Sequence, residues 1–130
     1  MPWTFEQVAG PFDFTEGPAW DGEAILFTDI PTSRILRYDP KNEETTVFRS
    51  GTNEANGLIF DRDGQLYACE GGDGVTFPKD GHQYTTDGRR VVRYGQDGSI
   101  TVVCDHFEGK RFNSPNDLAF DTLGRMWFTD

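Results

Sequence analysis

Asn56-Gly57-Leu58-Ile59-Phe60-Asp61, followed after a short turn by Gly64-Gln65-Leu66-Tyr67-Ala68-Cys69-Glu70, is the stretch that decides the fold. It reads as two apolar strands joined by an Asp/Gly turn, opened by a side-chain amide and closed by a carboxylate. The layout returns sixty positions later without a gap, as Asn116-Asp117-Leu118-Ala119-Phe120-Asp121 and then Gly124-Arg125-Met126-Trp127-Phe128-Thr129-Asp130. Forty positions earlier stands another copy, Glu16-Gly17-Pro18-Ala19-Trp20-Asp21 with Ile25-Leu26-Phe27-Thr28-Asp29. Self-similarity of this kind marks a repeat architecture.

Copies one and two are each followed by a third strand signature, Arg34-Ile35-Leu36-Arg37-Tyr38 and Arg90-Val91-Val92-Arg93-Tyr94. A fourth follows, Thr45-Thr46-Val47-Phe48 and Ser99-Ile100-Thr101-Val102-Val103. Four short strands per repeat with Asp-Gly punctuation predict an all-β chain built of β-propeller blades. Helix has little support, because apolar residues alternate or cluster in short runs and turn signals interrupt them. Two blades and half of a third do not close a ring. Residues 1–130 are therefore read as the N-terminal part of a single, incomplete propeller domain; assembly of several copies into one ring is the alternative. The wider gap between copies two and three comes mostly from an insertion at 71–89, rich in Gly, Asp and Thr.

Composition limits the partners. With 22 acidic against 12 basic residues the formal charge is -10, which argues against nucleic acid, whose binders cluster Lys and Arg. The opening residues lack the basic and apolar elements of a leader, and no apolar run reaches membrane-spanning length. A soluble cytoplasmic protein with no membrane partner is the expectation. Cys69 and Cys104 sit in strand contexts without metal-ligand spacing and are expected to be buried free thiols.

Because the first two strands of a blade run antiparallel, Glu16, Asn56 and Asn116 share one end with Asp29, Glu70 and Asp130. With the first strands innermost, the opening residues ring one mouth of the central channel. The 71–89 insertion leaves from Glu70 and is expected to overhang that mouth as a lid or specificity loop. Converging Glu and Asn oxygens suit a hard divalent cation such as calcium, magnesium or manganese. The competing reading is that these side chains only form local turns with the backbone. No nucleophile stands out, since Gly-x-Ser-x-Gly is absent and Ser114 has no evident His partner. His82 and His106 are isolated and are read as loop or outer-edge residues. The Asp-Gly pairs lack EF-hand spacing and are read as tight turns. Trp20, Phe60 and Phe120 are expected to pack in the core between blades.

Phe14-Thr15-Glu16-Gly17-Pro18-Ala19-Trp20, Ala55-Asn56-Gly57-Leu58, and Glu108 to Leu118 with its Ser114-Pro115-Asn116-Asp117 core resemble, in order, the gluconolactonase, senescence marker protein and luciferin-regenerating enzyme family. The resemblance implies a six-bladed propeller, of which this chain carries about two and a half blades. It implies one channel metal held by a first-blade Glu, a third-blade Asn, and an Asn and an Asp from later blades. Glu16 and Asn116 match the first two by motif position; calcium is the first expectation, with zinc, magnesium and manganese open. Asn56, Glu70 and Ser114 are expected substrate contacts, and the catalytic base is unassigned. The implied activity is metal-dependent hydrolysis of lactones or related small esters, with a lactone or sugar acid as the small-molecule partner. Gly71 stands where the family often carries His, which leaves substrate preference open. A non-catalytic binding propeller, or a stretch inactive by itself, are the alternatives.

Overall fold

The computed structural model describes residues 2–72 and 88–130, so the lid expectation, His82, Asp73-Gly74 and Asp87 fall outside the described residues. Twelve strands are present among them. The first sheet is an antiparallel meander of β1 (Thr15–Trp20), β2 (Ile25–Asp29), β3 (Arg34–Asp39) and β4 (Glu44–Ser50). The second repeats it with β5 (Ala55–Phe60), β6 (Leu66–Glu70), β7 (Arg90–Tyr94) and β8 (Ile100–Cys104). A small hairpin, β9 (His106–Phe107) with β10 (Lys110–Arg111), precedes a two-stranded third sheet of β11 (Leu118–Phe120) and β12 (Met126–Phe128). The architecture is an incomplete β-propeller: two four-stranded blades and two strands of a third.

The β9–β10 hairpin is new relative to the sequence reading. Its connection is Glu108-Gly109, both with positive φ (50° and 76°), the two-residue geometry that matches strand twist. Single aspartates close the inner hairpins. Asp21 Oδ1 accepts from the amides of Glu23 and Ala24, Asp61 Oδ1 from Asp63 and Gln65, and Asp121 Oδ1 from Leu123 and Arg125, all at 2.7–2.9 Å. The tight-turn expectation therefore holds at Asp21, Asp63 and Asp97, where Ser99 bonds to the Asp97 carboxylate.

Cores lie between blades, not within them. Leu26 and Ile35 of the first sheet meet Ala68 and Val92 of the second, all fully buried. Cys69 and Val91, one residue out of phase with Ala68 and Val92, turn the other way and join Leu118 of the third sheet. Strand alternation thus lets β6 and β7 bury residues on both faces, which is why each carries adjacent apolar residues, Leu66 to Cys69 and Val91-Val92. Cys69 and Cys104 are free thiols, as expected, but only Cys69 is buried; Cys104, at the end of the outer strand β8, is half-buried.

The aromatic expectation needs one correction. Phe60 packs on the core shared with the first blade, and Phe120 meets Tyr67 of the second edge-to-face at 5.2 Å. Each sits against the blade before it in the chain. Trp20, in the first blade, has no such blade before it among the described residues and is 55% exposed.

Candidate functional site

Three inner strands converge at one end of the sheets. Both β1 and β5 carry an irregularity there: between Glu16 and Ala19, and between Ala55 and Leu58, two residues face one on the partner strand. A bulge of this kind bends the strand and re-aims its side chains. The bulged segments hold Glu16-Gly17 and Asn56-Gly57.

Glycine follows the polar residue because the next blade occupies the space of a side chain. A Cβ on Gly17, at φ +53°, would run into the Asn56 carbonyl oxygen and the backbone of Gly57 and Leu58. One on Gly57 would lie 2.5 Å from Asp117 Oδ1, 2.7 Å from Asp117 Cα and 2.8 Å from the Asn116 oxygen. Two hydrogen bonds hold the strands at this distance: Thr28 Oγ1 donates to the Asn56 carbonyl (3.1 Å) and the Gly57 amide to the Asn116 carbonyl (2.7 Å).

The result is an open cavity of about 530 Å³ whose wall includes Glu16, Asn56, Asn116 and Asp117. Three of the expected site residues, from three sheets, are therefore brought together. The Glu16 carboxylate and the Asn56 and Asn116 side-chain amides make no hydrogen bond to another described residue, so the local-turn reading does not account for them. Asp117 is the wall residue that the sequence reading missed. Its signal was in the repeat: copies one and two carry Gly at this place, and the third carries a carboxylate. Asp117 accepts from the Leu118 amide (2.8 Å) and is otherwise exposed.

Among the described residues no three His, Cys, Asp or Glu side chains converge as a metal cluster. A cation at this mouth would draw on amide oxygens as well as carboxylates, a set of hard oxygen donors. Glu16, Asn56, Asn116 and Asp117 fit that chemistry.

One expected substrate contact, Glu70, is corrected. Glu70 is fully buried. Its Oε2 accepts from Arg90 Nε (2.7 Å) and Asn53 Nδ2 (2.8 Å), and its Oε1 from the Tyr94 hydroxyl (2.7 Å). Every oxygen is engaged, so the carboxylate belongs to the sheet interior. Burial first, and then the Glu70 charge, push the Tyr94 phenol well above its ordinary range. Ser114 does not line the cavity; its hydroxyl donates to the Gly71 carbonyl (3.2 Å) and its amide to Asp130 Oδ1 (2.8 Å). His106 lies in the outer hairpin, as expected, 2.7 Å from Asp105.

A family model described as "SMP-30/Gluconolactonase/LRE-like region" matches residues 14–130. The chain belongs to this family. A gluconolactonase of Zymomonas mobilis subsp. mobilis is 32% identical over 140 residues, covering 96% of this chain and 35% of the relative. The structure of a gluconolactonase from Xanthomonas campestris aligns with a TM-score of 0.77 at 28% identity, over 95% of this chain and 36% of that one. Virginiamycin B lyase from Staphylococcus aureus, at 19% identity and a TM-score of 0.59 over 88% of this chain and 34% of its own, shares the fold. The chain thus spans about a third of the length of the relatives it matches. Among the described residues no helix is long and apolar enough to cross a membrane.

Proposed function

We propose that residues 1–130 form the N-terminal part of a propeller enzyme that hydrolyses lactones or related small esters, with a divalent cation, calcium first, in the channel. The observation that carries this reading is the shared cavity of Glu16, Asn56 and Asn116, in a chain of the gluconolactonase family. Glu16 contributes one negative charge and Asn116 a neutral oxygen, so this half of the site leaves a dication with net positive charge. When bound, such a cation supplies Lewis acidity to the carbonyl oxygen and lowers the pKa of water. Asn56, between the two on the wall, offers both an amide N–H and an oxygen to a substrate hydroxyl or carbonyl. The acidic balance of 22 to 12 supports a small-molecule partner over nucleic acid.

The test is a paired measurement on the full-length protein. Glu16→Gln and Asn116→Ala are each expected to lower calcium or manganese affinity, read by calorimetry, together with lactone turnover. Unchanged affinity and turnover in both variants would remove these residues from the site. A wild-type protein that binds no divalent cation and turns over no lactone would favour the non-catalytic binding propeller.

A further inference from the structure

The carboxylate at or just past the end of each second strand bonds to the segment that leads into the mouth residue, through a backbone amide in the first and third repeats and a side-chain amide in the second. In the first blade Asp29 Oδ1 accepts the Phe14 amide (3.2 Å), and the Phe14 carbonyl accepts the Ile30 amide (3.0 Å). In the second, Glu70 Oε2 accepts Asn53 Nδ2 (2.8 Å), and the Asn53 carbonyl accepts the Gly72 amide (2.9 Å). In the third, Asp130 Oδ2 and Oδ1 accept the amides of Asn113 (2.9 Å) and Ser114 (2.8 Å). Phe14, Asn53 and the Asn113–Ser114 pair stand two or three residues ahead of Glu16, Asn56 and Asn116. Ladder pairing ends at this level, with Thr15 opposite Asp29 and Ala55 opposite Glu70, and beyond it one backbone bond per blade, from Ile30 or Gly72, adds to the carboxylate tether.

From this recurrence we infer that Asp29, Glu70 and Asp130 are positioning residues, each tethering the segment from which one mouth side chain projects, Asp29 and Asp130 by its backbone and Glu70 by the Asn53 side chain. The inference rests on the metal-site reading above. Burial supports it: Asp29 and Glu70 are 1% and 0% exposed, and each is held in turn by a cation and a hydroxyl, Arg34 with Thr32 and Arg90 with Tyr94. A charged acceptor so fixed strengthens the bonds from the N–H groups it receives. In the second blade the held segment includes Asn53 and Glu54 at φ 48° and 54°. Two consecutive non-glycine residues in the left-handed region need such outside support. Glutamate replaces aspartate in this blade because the carboxylate reaches a side-chain amide and a tyrosine hydroxyl, not a neighbouring backbone N–H.

The experiment compares Asp29→Ala with Asp29→Asn in the full-length protein, well below each melting midpoint. Asp29→Ala is expected to weaken calcium binding about tenfold, the effect of losing an orienting partner. Amide exchange at residues 14–18 should accelerate at the same time. Asp29→Asn keeps an acceptor for the Phe14 N–H and should lose less calcium affinity, and less protection at residues 14–18, than Asp29→Ala. Should Asp29→Ala fail to fold, Asp130→Ala, at an exposed site, gives the same readout at residues 113–117. Lowered midpoints with unchanged calcium affinity and unchanged local exchange would reduce these carboxylates to structural groups and overturn the inference. If wild type binds neither calcium nor manganese, the metal reading fails separately, and the exchange comparison alone decides whether the mouth backbone is held as stated.

Discussion

Gly57→Ala tests the close approach of blades two and three. The new methyl would meet Asp117 Cα at 2.7 Å and the Asn116 oxygen at 2.8 Å, where unstrained carbon contacts sit at about 3.5–4.0 Å. The strands must part by about 1 Å, because backbone cannot rotate away as a side-chain tip can. Overpacking of this kind costs about 1–3 kcal/mol, and stretching the 2.7 Å Gly57–Asn116 hydrogen bond adds about 0.5–1.5 kcal/mol. Reduced freedom of the unfolded chain offsets about 0.4–1 kcal/mol, leaving a loss of about 1–4 kcal/mol. Gly57 is not among the positive-φ glycines, so the cost is steric. Gly64→Ala is the control: at φ +75° with nothing within 4 Å of its Cβ, it carries only the left-handed penalty of about 1–2 kcal/mol and lies away from the mouth. Urea unfolding of both variants, paired with calcium titration, separates the cases. Gly57→Ala within about 0.5 kcal/mol of wild type, with calcium affinity intact, would refute the claim that the blades touch here.

Tyr94→Phe leaves the buried Glu70 Oε1 without its donor and should cost about 1–3 kcal/mol in denaturant unfolding, with the sheet otherwise intact. Acid should destabilise the fold in a defined window. Asp21, Asp29, Asp97, Asp105 and Asp121 all lie below the ordinary aspartate value of 3.8, and Asp121 falls to about 2, mainly through the Arg125 amide. At Asp29 burial pushes upward, and bonds from Thr32, the Phe14 amide and Arg34 more than offset it. With folded pKa values depressed, their stabilisation is complete above about 4 and is lost as pH falls toward about 2, so melting midpoints should drop across that range; a flat profile would contradict it. Burial pushes the Cys69 thiol up to about 12, so a disulfide reagent at pH 8 should leave it unmodified until urea is added.

Strand order and blade membership were legible because the repeat restates one pattern, and each copy corroborates the others. The mouth residues were legible for the same reason: equivalent positions in a propeller fall at equivalent distances from the axis. What those positions bond to was not. Glu70 and Asn56 look alike in sequence as polar residues at the same end of a hairpin, yet one is sealed beneath Arg90 and Tyr94 and the other lines the cavity. That difference depends on side-chain length and on residues 17–24 positions away, which periodicity does not encode. Trp20 was misjudged on similar grounds, since its burial depends on a neighbouring blade and not on its own strand. Asp117 was hidden by its neighbour, as Asn116 carried the family match and drew attention from the departure beside it.

The aspartates at the far hairpins bond amides only two to four residues away, whereas the carboxylates at the mouth reach across fifteen to seventeen. Short loops close at lower entropic cost and sooner than long ones. On this ground each sheet is expected to assemble from its turn toward the mouth, with the mouth end, which also needs the Thr28–Asn56 and Gly57–Asn116 ties, completed last. Unzipping under mild denaturant should begin at the mouth end, so that the cavity shared by the three sheets disappears while the distal corners still persist.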